Sequence, residues 1–299
     1  MSSWNGKTKG GLTGYKFFVF ILKHLGLSFT YFILSFVAFY YFIFYFKSFR
    51  NIFFLYHKIF KFSFVRSVCM IYKNYFVFGQ VLLDKVAMLA GFHNKFSFDF
   101  EGEEHLIKMS ENKTGGLLIS AHIGNFEIAG QLLKRIKAKI NIVMLESEHL
   151  KIKDYLSDIY IENNVNVISI KNDYSHIFEI SKAFENKEIV CIHGDRFLKG
   201  SKTVTSLFFE KDAEFPSGPF YLATKFNIPV SYVFAMKEKK FHYHFYASEP
   251  EYYYLPQLNL KKRENSIRKM VNDYICNLEQ YVKKYPAQWF NFYNFWKAK

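Results

Sequence analysis

Cysteine is scarce in this sequence. Cys69, Cys191 and Cys276 are far apart and odd in number, and no two have metal-ligand spacing. That excludes a disulfide-built fold and points to a reducing compartment, with the three thiols as small buried hydrophobes. Acidic residues are few as well, 26 against 40 Lys plus Arg, for a net charge of +14. Such an excess seeks anionic partners. Nucleic acid is a poor choice among them, because the basic residues are scattered. Zinc-finger spacing, a basic-zipper region and an RNA-binding aromatic motif are all lacking. An acidic lipid surface or an acidic carrier protein fits better. Internal repeats and low-complexity tracts are also missing, and 299 residues suffice for a sizeable core in one large or two modest domains.

What the chain does have is aromatic rings, with 37 Phe and 22 Tyr. They suit cores and membrane interfaces alike. The densest run, "GLSFTYFILSFVAFYYFIFYF", carries no charge between His24 and Lys47. As a helix it spans ~33 Å, close to the ~30 Å of a bilayer's hydrocarbon core. It reads as a transmembrane helix or, given its many Tyr and Phe and few Leu, as a helix lying in the interface. Its length and the lack of a small-x-small cleavage site argue against a secretory signal. Basic residues flank both ends, Lys16 and Lys23 before it, Lys47 and Arg50 after it. The balance favours a cytoplasmic C-terminal side.

Three regions follow: a membrane-associated helix over 1–48, an amphipathic helical segment over 49–99, and a main domain over 100–299. In the last, apolar runs at 115–122, 140–145, 165–170, 188–194, 228–235 and 241–248 alternate with helical patterns at 125–137, 148–160, 175–186 and 217–227. A charged helix covers 259–284. Alternation of this kind predicts an α/β fold with a mixed, mostly parallel sheet flanked by helices. Residues 198–215 show no clear period and read as a mobile loop.

The chemistry begins at "GGLLISAHIGNFEIAG", Gly115 to Gly130, where His122 is followed by Glu127. On one straight helix the two would point ~140° apart. They converge if His122 ends a strand, Ile123–Gly124 turns, and Glu127 sits in the first helical turn behind Asn125 as N-cap. An imidazole and a carboxylate then meet at the carboxyl end of a strand, where clefts of open α/β sheets lie. This is a general-base arrangement. The spacing is not HExxH, so a zinc site is unsupported. On spacing alone, a solvated Glu127 and a sheet-edge His122 are the better account of the pair.

The order "LLISAHIGNFE", "GDR", "FPSGPFYLATKFNIPV", "PAQWFNFYNFW" resembles the bacterial lipid A biosynthesis acyltransferases, within the wider glycerolipid acyltransferase superfamily. Their hallmark is His, four residues, then Asp or Glu, which His122 and Glu127 match. The resemblance runs from about residue 65 to the end and has one departure. The family's aromatic pair followed by Gly is here Phe208–Phe209 followed by Glu210 and Lys211.

The resemblance implies transfer of a fatty acyl group from acyl carrier protein, or acyl-CoA, to a hydroxyl of a lipid A precursor, without an acyl-enzyme and without metal or organic cofactor. His122 deprotonates the hydroxyl and Glu127 orients it. Backbone N–H groups of the 123–126 turn, or Arg196, serve the oxyanion. Arg196 suits a phosphate, Asp195 holds Arg196 or lines the acceptor site, and Gly194, Gly218 and Asn125 complete the candidate substrate contacts, with Asn125 first an N-cap. His193, beside "GDR", has the simpler reading of a sheet-end histidine. Gln288 and Trp289 read as packing residues. The family also implies the cytoplasmic face of a bacterial inner membrane. The rival readings are a lysophospholipid or amino-lipid O-acyltransferase and a non-catalytic lipid-binding member of the fold.

Overall fold

The computed structural model describes residues 12–89, 91–125, 128, 136, 138–145, 165–171, 175–198, 200–253 and 260–296. The helices expected over 125–137 and 148–160 lie almost wholly outside these residues.

Seven strands form one sheet, in the order β1-β9-β8-β2-β5-β3-β4. They are β1 (Ser97–Glu101), β2 (Gly116–Ser120), β3 (Ile140–Leu145), β4 (Val165–Ile170), β5 (Ile189–His193), β8 (Val230–Lys239) and β9 (His242–Ala247). Every neighbouring pair is parallel except β8 with β9, which form an antiparallel hairpin. The mixed, mostly parallel α/β sheet expected from the sequence is therefore present. β2 sits at its centre, and Leu117, Leu118 and Ile119 are almost wholly buried. Burial on both faces is why this strand reads as a continuous apolar run rather than an alternation.

Residues 198–215 are not an irregular loop. They hold an antiparallel hairpin, β6 (Thr203–Phe208) and β7 (Lys211–Pro216). Its two-residue turn is Phe209 and Glu210, with φ of 50° and 61°. Tight hairpin turns favour positive φ, normally supplied by Gly or Asn. Two non-glycine residues adopt it here, so the usual turn signature is missing. The strand β1 and the helix α4 (Glu103–Glu111) also went unforeseen.

Helix α5 (Ser175–Glu185) follows β4. Helix α6 (Gly218–Phe226) opens with Pro219 in its first turn and stops at Asn227, whose φ is 48°, as helix-terminus preferences dictate. Helix α7 (Leu260–Lys284) buries Met270, Val271, Tyr274, Ile275, Leu278 and Val282, one stripe at helical spacing. Lys283 and Lys284 close its last turn, where cations offset the helix dipole.

The N-terminal helix α1 (Leu12–Phe44) is interrupted at Gly26, with φ 78° and ψ 169°. Phe17–Phe44 is long and apolar enough to cross a bilayer by length and composition. Yet Leu27, Tyr31, Leu34 and Ala38 are buried, while Phe29, Phe32, Phe36 and Phe39 are exposed. One face therefore packs on the protein and the opposite face is apolar and bare. After α2 (Phe46–Phe53) and a π-helical turn at Phe54–Ile59, α3 (Phe64–Leu89) returns along α1.

A buried ion pair locks this helical layer to the sheet. Lys237 Nζ lies 2.5 Å from Asp84 Oδ2. Tyr31 and Tyr243 donate their hydroxyls to the same carboxylate. Lys237 donates also to the Lys240 carbonyl at 2.6 Å. Four elements, α1, α3, β8 and β9, thus meet at one fully buried aspartate.

Candidate active site

The site forms where β2 and β5 end side by side. They pair in parallel, Gly116 opposite Ile189 through Ser120 opposite His193. Carried past the strand ends, this register sets His122 opposite Asp195. The two side chains meet: His122 Nδ1 and Asp195 Oδ1 are 2.8 Å apart. The other carboxylate oxygen, Oδ2, accepts the His122 backbone N–H at 3.0 Å. One carboxylate so grips both the ring and the main chain of one histidine. Asp195 keeps 3% of its side-chain surface exposed and His122 keeps 14%, so the carboxylate is interior and the imidazole reaches the opening.

Burial alone would raise the Asp195 carboxyl. The charges of His122 and Arg196 and the His122 hydrogen bond outweigh it and hold the group well below the usual carboxylate range. Asp195 is therefore an anion at every working pH. An ionised partner on Nδ1 fixes the tautomer with its proton there and stabilises an imidazolium when Nε2 takes a second proton.

Sequence reasoning gave Asp195 as a holder of Arg196 or an acceptor contact; the structure sets its carboxylate against His122. The signal was there, across strands rather than along the chain: two apolar strands, each followed two residues later by a polar side chain. Glu127, the expected partner, lies outside the described residues.

The turn after β2 is built to be rigid. Gly124 has φ +60°, and a Cβ there would stand 2.1 Å from the Ala235 carbonyl oxygen. Only glycine permits that approach. Gly124 N–H donates to the Gln288 carbonyl at 2.9 Å and Asn125 N–H to the Ala235 carbonyl at 2.7 Å. Both are spent inside the protein, so these two backbone groups are not oxyanion donors. Asn125 is buried, and its amide donates to the Val81 carbonyl at 3.2 Å and the Tyr243 hydroxyl at 3.3 Å. Its Oδ1 accepts the Ile128 N–H at 3.3 Å.

Gly194 follows His193 and precedes Asp195. A Cβ there would lie 2.8 Å from Ile119 and 2.9 Å from the Tyr274 ring, so its bare backbone lets α7 press against the strand end. Tyr274 also donates to the Ser120 carbonyl at 3.1 Å. Arg196 donates from Nη2 to the Phe290 carbonyl at 2.9 Å and lies by the Tyr293 ring.

The C-terminal segment completes the frame. Ile123 bridges Trp289 as a one-residue antiparallel ladder, with Phe290 N–H donating to the His122 carbonyl at 2.9 Å. Gln288 clamps Lys237 through both its backbone groups, at 2.9 and 2.7 Å. Three of the motifs, around His122, Asp195 and Trp289, are thereby tied in space. Gly218 stands apart at the start of α6, where an added Cβ would meet nothing within 4 Å. Among the described residues no group of three or more His, Cys, Asp or Glu could hold a metal ion.

No curated protein matches the chain. Among solved structures, the 1-acyl-sn-glycerophosphate (LPA) acyltransferase PlsC from Thermotoga maritima is similar over 89% of this chain and 100% of that one. Its sequence is 15% identical and the TM-score is 0.41, too distant a likeness to bear on chemistry. The family model for bacterial lipid A biosynthesis acyltransferases matches residues 14–298. That span takes in nearly the whole chain, including the tethered dyad and the C-terminal segment that frames it, and the chain therefore belongs to the bacterial lipid A biosynthesis acyltransferase family.

Proposed function

We propose that this acyltransferase moves a fatty acyl group from acyl carrier protein to a hydroxyl of a lipid A precursor, with His122 as general base. The observation that carries the reading is the 2.8 Å bond between His122 Nδ1 and the buried Asp195 carboxylate at the mouth of parallel strands. Nε2 takes the proton of the acceptor hydroxyl. The alkoxide oxygen forms its bond to the thioester carbonyl carbon, and the C–S bond then breaks. The departing thiolate takes the proton back from His122, so the enzyme returns to its starting state without an acyl-enzyme.

The oxyanion that forms midway needs a donor other than the Gly124 and Asn125 N–H groups. Arg196 is that donor in this scheme, because its guanidinium sits one residue beyond Asp195 with its fork fixed by the Phe290 carbonyl. Gly194 keeps the strand end thin, Gly218 leaves backbone open to substrate, and Asn125 serves by shaping the turn. Glu127 is a second carboxylate for His122 or for the acceptor.

We place the enzyme on the cytoplasmic face of the inner membrane, with α1 lying in the interface. α1 packs along α3, which carries Lys73, Asn74, Asp84 and Lys85 and so cannot accompany it across hydrocarbon. The bare stripe Phe29, Phe32, Phe36, Phe39 then faces lipid. Replacing Phe32, Phe36 and Phe39 together by Ser removes ~1.5–3 kcal/mol of burial per ring. We expect such protein to stop co-sedimenting with phosphatidylglycerol-containing vesicles while its fold persists. Undiminished sedimentation would refute the placement.

The catalytic reading is tested with His122→Ala, purified in detergent and supplied with lauroyl-acyl carrier protein and lipid A precursor. Loss of a general base should lower turnover by at least ~100-fold with an unchanged circular dichroism spectrum. Product formation at the normal rate would disprove the mechanism. Mass spectrometry of products with lysophospholipid as competing acceptor decides between the two acceptor classes.

A further inference from the structure

The dyad is only as precise as the two strand ends that carry it. β2 ends at Ser120 and β5 at His193, whose ring centroid lies 4.4 Å from that of His122. A backbone bond joins the strands just before the dyad, where the Gly194 N–H donates to the Ser120 carbonyl at 2.9 Å. One step on, the His122 N–H goes to the Asp195 carboxylate. Whatever sets the Ser120–Gly194 junction therefore sets where Asp195 stands against His122.

Tyr274, on α7, touches both halves of that junction. Its hydroxyl donates to the same Ser120 carbonyl at 3.1 Å and so takes up the second lone pair of that oxygen. Its ring lies so close to Gly194 that a Cβ there would come within 2.9 Å of Cζ. The ring is held in turn by Phe215, Phe220 and Tyr232, with centroids 6.1, 5.6 and 5.8 Å away. Tyr274 has no exposed surface, so it acts on the strand ends and not on a substrate. Burial first, then the charge of Asp195, keep its phenol well above the usual value. The hydroxyl is therefore a donor at every working pH. A buried hydroxyl is costly unless it is bonded. Beside Met270, Val271, Ile275, Leu278 and Val282 of the same stripe, Tyr274 brings the one hydroxyl, and its partner is the carbonyl two residues before His122.

We propose that Tyr274 is a positioning residue, which clamps the Ser120–Gly194 junction by ring and hydroxyl together and so fixes the spacing at which Asp195 meets His122. The inference rests on His122 being the general base. It concerns kcat rather than binding, since a reacting group misplaced by ~1 Å costs up to ~100-fold in rate.

The test uses full-length protein with the same lauroyl-acyl carrier protein and lipid A precursor. Tyr274→Phe keeps the ring and removes the hydroxyl. Tyr232→Phe is the control, since it removes a second buried hydroxyl, one that bonds Tyr253 and the Met270 carbonyl instead. We expect Tyr274→Phe to lose about 10-fold in kcat at nearly constant KM, with a normal circular dichroism spectrum. Tyr232→Phe should keep kcat within about 2-fold while its melting temperature falls at least as far. Placed on Asp195→Asn, Tyr274→Phe should cost less than about 2-fold more, because the contact it positions is already broken. Wild-type kcat in Tyr274→Phe overturns the proposal. So does a loss on KM alone, an equal loss of kcat in Tyr232→Phe, or the full loss repeated in the Asp195→Asn background, since each gives Tyr274 a general packing role or a substrate contact. Asp195→Asn alone separates the two failures. If it turns over at the normal rate, the dyad falls and the positioning role with it. If it is slow while Tyr274→Phe is normal, the dyad stands and only the positioning role falls.

Discussion

Two buried aspartates lie among the described residues, and both face a basic side chain, yet their surroundings push them in opposite directions. Asp84 meets Lys237 between the N-terminal helices and the sheet, and burial raises its carboxyl while lowering the Lys237 ammonium. Asp195 meets His122 at the strand ends and is held low. The difference is what surrounds each pair. Asp84 is closed in by Tyr31, Tyr243 and Lys237, and none of them leads to solvent. Asp195 grips a ring whose far side reaches the opening. A sealed pair holds elements together, whereas a pair with one open end can pass a proton to and from a substrate. The two are also linked, since Asn125 of the active-site turn donates to Tyr243, which donates to Asp84.

Asp195→Asn breaks the open pair and has the largest expected effect. The amide keeps the shape but removes the charge that stabilises an imidazolium, and it can present N–H to Nδ1, favouring the wrong tautomer. We expect kcat to fall by roughly 10²–10⁴-fold, with a lower melting temperature above pH 5, where the ionised Asp195 stabilises the fold. Glu127→Gln should fall well short of that loss. Equal losses in the two would assign the orienting role to both carboxylates and end the special standing of Asp195.

Asp84→Ala breaks the sealed pair and should do the reverse. It strands a buried ammonium and two hydroxyls, at a cost of ~3–5 kcal/mol in unfolding free energy. Residual activity per folded molecule should stay within about 10-fold, because the catalytic charges are untouched and only the Asn125 turn loosens. Adding Lys237→Met to Asp84→Leu should regain part of the stability, since paired apolar replacements of buried ion pairs are often neutral. The regain stays partial because the Tyr31 and Tyr243 hydroxyls lose the carboxylate they both donate to, at ~1–3 kcal/mol each. If Asp84→Ala instead abolishes turnover in protein that remains folded, the distinction between the pairs is false.

The sequence disclosed these two regions unequally. β3 and β4 were legible to the residue as apolar runs, because local period carries burial, and α7 was legible as a charged helix over 259–284. His122 was legible through the resemblance of four motifs in order; its spacing alone left a sheet-edge histidine as a sufficient reading. Asp195 lies 73 residues from His122, and its contact with that ring appears only once the β2–β5 register is known. Asp84 and Lys237 are 153 apart on elements of different layers, and neither belongs to any motif. The β6–β7 hairpin hid for another reason, since Phe209 and Glu210 occupy a backbone conformation their side chains disfavour. Local signals name elements, whereas partnerships between elements belong to topology.

The smallest effect concerns pH and reads the open pair without touching its catalysis. His193 is neutral in the folded chain down to about pH 3, whereas an unfolded histidine takes up its proton near ~6.5. Between those values the unfolded state binds more protons than the folded one, so stability falls as pH falls. The slope contributed by this one group is at most ~1.4 kcal/mol per pH unit, and partial solvent access brings the expected figure to about half that. Asp195 acts in the same direction but lower. Its depressed carboxyl stabilises the fold above the ordinary carboxylate value of ~3.9, and that share is lost only as pH drops through the folded value. Denaturant melts of wild type and His193→Phe at pH 6.0, 5.3 and 4.6 isolate the histidine. Their difference in unfolding free energy should move in favour of the Phe variant as the pH falls. A difference that stays constant across the series would mean that His193 accepts a proton in the folded chain, and that a second cation then stands beside Asp195.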